Sequence, residues 1–240
     1  MTIEEKMNPK RTARLAGLLY LAHFVTFYFA DNGVHSTTVG SVDVAAIAHN
    51  IMASERLFRI GFVNFLFAAV FFLLAAWALY VLFKPVNKDI ALLFVLLNLG
   101  GVAVWCISQV SEFAAQLLLS GPDYLEVFQA DQLQALAMLF LNLYQHGFMI
   151  AQIFLGLWLF PLGYLVFKSG FLPRILGILL IIDGFAILIW YFQFFFFPGY
   201  EVISTIALAE SFIAEGLLCV WLLIKGVNVE EWEKRALESA

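Results

Sequence analysis

The sequence predicts an all-α membrane protein, a helical bundle of six transmembrane helices with both termini in the cytoplasm and short amphipathic helices on the outer side. Of its 240 residues, 63% are hydrophobic and only 13% are charged, whereas about a quarter of the residues in a soluble domain are charged. Several apolar runs exceed the ~18 residues that cross about 30 Å of hydrocarbon. These runs lack the alternation of apolar and polar residues that is typical of a membrane β-barrel.

Six apolar segments are the predicted spans. They cover residues 12–30, 57–83, 90–118, 134–167, 173–197 and 202–225. Basic residues predict their orientation, because Lys and Arg accumulate in cytoplasmic loops. Such residues precede span 1, lie between spans 2 and 3 and between spans 4 and 5, and follow span 6, whereas only Arg56 and Arg59 fall on the other side. Both termini are therefore expected to be cytoplasmic.

Two polar segments between the spans are expected to form short amphipathic helices on the outer side. In residues 41–58, apolar side chains recur at helical spacing, after Ser41 or Asp43 as a cap. These apolar residues are Val44, Ile47, Ala48, Ile51 and Met52. Residues 121–134 look similar, and Asp131 with Gln134 resembles a capping box that opens span 4. Such helices either roof the outer face or lie on the lipid surface.

The glycines of spans 4 and 5 predict a tight hairpin. They lie at positions 156, 163, 177 and 184, spaced by seven. Small residues on one face of a helix allow a neighbouring backbone to approach closely. At the outer end of span 5, the aromatic run 190–200 is typical of a membrane-interface anchor.

The chain is predicted to be a single six-span membrane domain, residues 1–227, followed by a polar cytoplasmic tail, residues 228–240. The tail contains charged residues with few apolar ones, so it is expected to be either a surface helix or a frayed end.

Polar residues inside the spans are the candidate functional residues, because burying a lone charge in hydrocarbon is costly. Counting helical rise from the nearest basic residue places one set near the mid-plane. This intramembrane polar pocket consists of His23, Asn98, Asp183 and Glu215. An outer polar layer consists of Asn64, Gln109, Glu112, His146, Gln152 and Glu210.

His23, Asp183 and Glu215 are the candidate metal ligands, and the same three groups are able to share a proton. A structural alternative stays open for each of them. Asp183 then makes a hydrogen bond between helices, and His23 donates to a backbone carbonyl. The sequence lacks the H-E-x-x-H metalloprotease motif, a phosphate-binding loop and a G-x-S-x-G elbow.

These observations favour a protein that binds or transports a small molecule, an ion or protons through a polar pocket open to the outside. One alternative is an intramembrane metal-dependent enzyme with a lipid-like substrate, and another is a structural or lipid-binding membrane module. The expected partners are the lipid bilayer, a small-molecule, lipid or cation ligand and a second copy of the chain, without nucleic acid. The sequence identifies no cofactor.

Several phrases resemble a known prokaryotic family of six-span membrane proteins. They are "RLAGLLYL" (14–21), "ASERLFRIG" (53–61), "LYVLFKPVNKDIALL" (79–93), "LQALAMLFLNLY" (133–144), "GYLVFKSGFLPRILGILL" (163–180) and "WLLIKGV" (221–227). The family is catalogued as domain of unknown function 4386, and the resemblance covers about residues 11–227. It implies a multi-pass protein of a prokaryotic cell membrane and carries over no site residues.

Overall fold

The computed structural model describes residues 8–30, 44–120, 123–200 and 202–239. Within these ranges the regular structure is helical. The helices are α1 (Pro9–Ala30), α2 (Val44–Ala53), α3 (Glu55–Phe83), α4 (Lys88–Leu119), α5 (Ala130–Leu157), α6 (Leu159–Ser169), α7 (Arg174–Phe196), α8 (Val202–Ile224) and α9 (Val229–Glu238).

The six predicted spans are confirmed. Six helical segments in the described residues are long and apolar enough to cross a membrane. They are α1, α3, α4, the continuous pair α5–α6, α7 and α8. Pro161 explains the break between α5 and α6, since proline has no N–H to donate to the carbonyl of Leu157. Trp158, at the break, is 1% exposed and fills the core there.

The first predicted amphipathic helix is present as α2, and two of its predicted apolar side chains are buried. Ile47 and Ile51 join a buried cluster with Phe58, Ala115 and Leu141. This packing agrees with a helix docked on the bundle. The predicted caps Ser41 and Asp43 lie outside the described residues.

The prediction of a second amphipathic helix, in residues 121–134, is wrong. Its described residues contain a single 3₁₀ turn, Asp123–Leu125, before α5 begins at Ala130. The predicted capping box is also misplaced, because the cap lies further upstream. The backbone N–H of Gln129 donates to Gln132 Oε1 at 3.0 Å, while Asp131 Oδ1 accepts from the backbone N–H of its neighbour Gln132.

The chain forms two compact units. The larger unit contains residues 1–21, 71–102 and 151–240, and the smaller unit contains residues 22–70 and 103–150. Helices α6 to α9 therefore belong entirely to the larger unit, and α2 belongs to the smaller one. Helices α1, α3, α4 and α5 contribute residues to both.

The predicted hairpin of spans 4 and 5 packs through its glycines. A Cβ atom added at Gly163 would lie 2.7 Å from the Gly177 carbonyl oxygen, and one added at Gly177 would lie 2.5 Å from the Gly163 carbonyl oxygen. The backbones of α6 and α7 thus touch directly. Gly184 repeats the arrangement, with its Cβ position 3.0 Å from the Gly156 carbonyl oxygen.

The polar tail forms a helix that is attached to the end of α3. Asn228 caps α9 by accepting a hydrogen bond from the Glu231 N–H, and its own N–H donates to the Phe171 carbonyl. Trp232 is buried, and its Nε1–H donates to the Leu82 carbonyl at 2.9 Å. That carbonyl lies in the last turn of α3, where helices lack internal donors. Of the two expectations for the tail, the helix is therefore correct.

We expect Gly177→Ala to destabilise the protein by about 1–3 kcal/mol, because the methyl group would overlap the Gly163 carbonyl. Gly216→Ala in α8 is the matched control. Its added Cβ meets no described atom within 4 Å, so the change should be neutral or stabilising by about 0.5–1 kcal/mol. Thermal unfolding in detergent measures both, and equal midpoints would contradict the proposed contact.

Candidate functional site

Two carboxyl groups meet in the middle of α7 and α8, in the larger unit. Asp183 is fully buried near the centre of the 23-residue helix α7. From α8, Ser211 Oγ donates a hydrogen bond of 2.5 Å to Asp183 Oδ1. The preceding residue, Glu210, places its carboxyl group beside that of Asp183. We call Asp183, Glu210 and Ser211 the carboxyl pair site.

The second oxygen of each carboxyl group lacks a hydrogen-bond donor. Asp183 Oδ2 and Glu210 Oε2 are buried, and no N–H or O–H group of the described residues donates to either oxygen. Two ionised carboxylates in contact among apolar side chains would repel each other strongly. A proton held between the two groups, or a bound cation, would remove this repulsion. The site is therefore suited to holding one positive charge.

The sequence predicted His23 and Glu215 as the partners of Asp183. In the structure, the groups that contact Asp183 are Ser211 and Glu210. Glu215 lies four residues beyond Ser211, about 6 Å farther along α8. It is buried next to Cys219, whose Sγ donates to the Gly17 carbonyl at 3.3 Å. Counting residues from Arg174 and from Lys225 does not give the relative shift of the two helices, and Ser211 is the residue of α8 that is level with Asp183.

His23, in the smaller unit, occupies an aromatic environment. Its Nδ1 lies 2.9 Å from the Ala68 carbonyl oxygen. The ring stacks on Phe27 at 5.9 Å between centroids and meets Trp105 edge-on at 6.2 Å. This arrangement is the structural alternative that the sequence left open for His23, with the ring joining two helices.

The predicted metal-ligand set is not assembled. Among the residues that the structure describes, no three His, Cys, Asp or Glu side chains are grouped as ligands of one metal ion. His23, Asp183 and Glu215 therefore do not form such a group, and the first two have the partners given above.

The outer polar layer is only partly assembled in the smaller unit. Gln109 and Glu112 line a cavity of about 10 Å³ together with Tyr144, which is space for about one water molecule. Gln109 is 1% exposed, and its amide has no hydrogen-bond partner in the described part of the chain. Asn64 instead donates to the Thr26 carbonyl and joins two helices.

The three remaining predicted residues are Asn98, Gln152 and His146. Asn98 and Gln152 are buried in the larger unit, and the Asn98 amide finds no hydrogen-bond partner within the described ranges. His146 is exposed, and its Nδ1 contacts the Asn142 carbonyl of its own helix at 2.8 Å. His146 is thus on the exposed side of α5.

The sequence reasoning missed Ser211. A serine is common in transmembrane helices, where it usually bonds to its own backbone, so it carries little signal alone. The one indication in the sequence was its position directly after Glu210. Two adjacent polar residues in an apolar helix indicate a polar contact with a neighbouring helix.

Comparison with known proteins identifies the family of the chain. The family described as Domain of unknown function (DUF4386) matches residues 15–226 of the chain. The chain belongs to this family. The chain is similar to an uncharacterized protein of Archaeoglobus fulgidus, with 30% identity over 156 residues. These residues cover 65% of this chain and 77% of the relative. No solved structure matches.

We expect His23→Ala to destabilise the protein by about 2–4 kcal/mol, because it removes a buried ring and a buried hydrogen bond. His146→Ala changes an exposed histidine and should shift stability by less than about 0.5 kcal/mol. Thermal unfolding compares the two variants. Elemental analysis of the wild-type protein and both variants tests whether the role of His23 is structural. A metal that is present in the wild-type protein and lost only from His23→Ala would contradict that role.

Proposed function

We propose that this multi-pass membrane protein binds a proton at the carboxyl pair site and uses it to move protons, or a solute coupled to them, across the bilayer. The observation that carries the proposal is the contact between Asp183 and Glu210 in the middle of two spans, with Ser211 bonded to one of them. Ionisable residues are rare at this depth and are typical of proton and ion pathways.

Ser211 supports the proposal because its hydroxyl suits both protonation states of Asp183. Its Oγ lies 2.5 Å from Asp183 Oδ1 and 3.0 Å from the Ala207 carbonyl oxygen. If Asp183 is ionised, the hydroxyl donates to Oδ1. If Oδ1 carries a proton, it donates to the hydroxyl, which then donates to the carbonyl. The hydrogen bond between Ser211 and Asp183 is therefore kept when a proton enters or leaves, with its direction reversed.

We place the protein in the cell membrane of a prokaryote, with both termini in the cytoplasm. The uneven distribution of Lys and Arg along the chain supports this orientation. In this setting the bilayer is the constant partner, and the coupled ligand is a small molecule, lipid or cation. The pocket that admits it would open to the outside.

Cysteine labelling of whole cells tests the orientation. In a chain without Cys106 and Cys219, Tyr124→Cys introduces a thiol at an exposed position between spans 3 and 4. Ser239→Cys places one just after α9. We expect a membrane-impermeant maleimide to label the first variant on intact cells and the second only after lysis. The reverse pattern would invert the orientation.

Infrared spectroscopy tests the carboxyl pair. We expect Asp183→Asn to remove a protonated-carboxyl band from the spectrum of the purified protein, because the new amide can donate to the Glu210 carboxylate in place of the shared proton. Glu210→Gln should act in the same way. Both variants should also reduce proton uptake by proteoliposomes to the level of empty liposomes. Glu126→Gln, an exposed change outside the spans, is the control and should alter neither signal.

A helical contact without transport is the competing explanation, and the same variants distinguish it. If the protonated-carboxyl band and the proton uptake both persist in Asp183→Asn, the proposal is refuted. If the wild-type protein takes up no protons and Asp183→Asn unfolds it, the pair is a structural contact. Ser211→Ala should slow uptake, whereas Ser204→Ala, two turns earlier on the same helix, should leave the rate unchanged.

A further inference from the structure

The larger unit contains a cavity of about 690 Å³ where α3 ends and α4 begins. Its lining includes Trp77 and Tyr80 of α3, Lys84 of the connection, Lys88 and Asp89 of α4, and Trp232 of α9. Cavities of this size accommodate small-molecule ligands. None of the lining residues belongs to the carboxyl pair site, so the cavity stands apart from the proposed function.

This cavity lies at a membrane surface, because the connection between α3 and α4 joins two consecutive spans. Trp77 and Tyr80 lie in the last two turns of α3 and stack with ring centroids 5.2 Å apart. Trp77 is 56% exposed. Exposed Trp and Tyr side chains at the end of a span lie at the level of the lipid headgroups.

The charged side chains that line the cavity carry a net positive charge, which favours an anion. Lys84 and Lys88 contribute two positive charges and Asp89 contributes one negative charge. A lysine ammonium group offers three donors to phosphate oxygens. Basic pockets at the ends of spans are suited to anionic lipid headgroups.

The far wall of the cavity is fixed before any ligand binds. Helix α9 supplies this wall with Trp232, Ala236 and Ser239. The bond from Trp232 Nε1 to the Leu82 carbonyl holds that helix against the end of α3. The cavity is thus a built feature of two connected helix ends, and a ligand pays little to order it.

We propose that this cavity binds the headgroup of an anionic phospholipid, with the phosphate at Lys84 and Lys88 and the upper acyl chain along Trp77 and Tyr80. The aromatic pair decides between a lipid and a free phosphate. A free anion would need only the lysines, whereas Trp77 offers an exposed apolar surface at the level of the glycerol backbone.

Native mass spectrometry of the detergent-purified chain tests the proposal, with phosphatidylglycerol as the anionic probe and phosphatidylcholine of the same acyl chains as the neutral one. We expect the wild-type chain to retain phosphatidylglycerol preferentially. Lys84→Gln with Lys88→Gln should weaken its binding about 30-fold. Lys84→Arg with Lys88→Arg keeps the charges and should keep the preference.

The matched control is Lys225→Gln with Lys234→Gln, which removes two exposed lysines that do not line the cavity. We expect this control to bind like the wild-type chain. Equal loss in both double glutamine variants would show a general charge effect and overturn the assigned site. A preference that survives Lys84→Gln with Lys88→Gln would overturn it as well. Displacement of the lipid by an equal concentration of inorganic phosphate would identify a free-anion site instead.

Discussion

Hydrocarbon offers no hydrogen-bond partner to a peptide group or a side chain, and this constraint governs both the backbone and the polar residues of the protein. The backbone meets it with helices, whose peptide groups bond within one segment. Where α3 ends, at a membrane surface, the Leu82 carbonyl accepts a hydrogen bond from the indole N–H of Trp232. Asp183 meets the same constraint within a span by accepting from Ser211.

Close packing in the larger unit determines which polar groups can meet. Gly163 and Gly177 let α6 and α7 touch through their backbones, and α8 packs on the same helix α7. This packing brings Glu210 and Ser211 beside Asp183. Helix α7 thus takes part in two contacts, a glycine contact with α6 and the contact with α8 that contains the carboxyl pair site.

The spans could be predicted because length and apolar character are local properties, and the glycine spacing also indicated the α6–α7 contact. Asp183 was identified because a carboxyl group in an apolar run is conspicuous. Its partner was not, because contacts between helices depend on their relative shift, which a count along each helix does not contain. The start of α5 shows the same limit, since Gln132 and not Gln134 reaches back to the chain. The connection between α4 and α5 contains the 3₁₀ turn Asp123–Leu125 where the sequence predicted an amphipathic helix. This difference also depends on the path of the connection, which residue spacing does not show.

The bond between Trp232 and Leu82 joins residues 150 positions apart, which has a consequence for biogenesis. Helix α3 enters the bilayer as the second span, long before α9 leaves the ribosome. Until then water at the membrane surface must hydrate the Leu82 carbonyl. Docking of α9 is therefore a late assembly step that follows synthesis of all six spans. A nascent chain that stalls before this step keeps the Leu82 carbonyl without its indole donor.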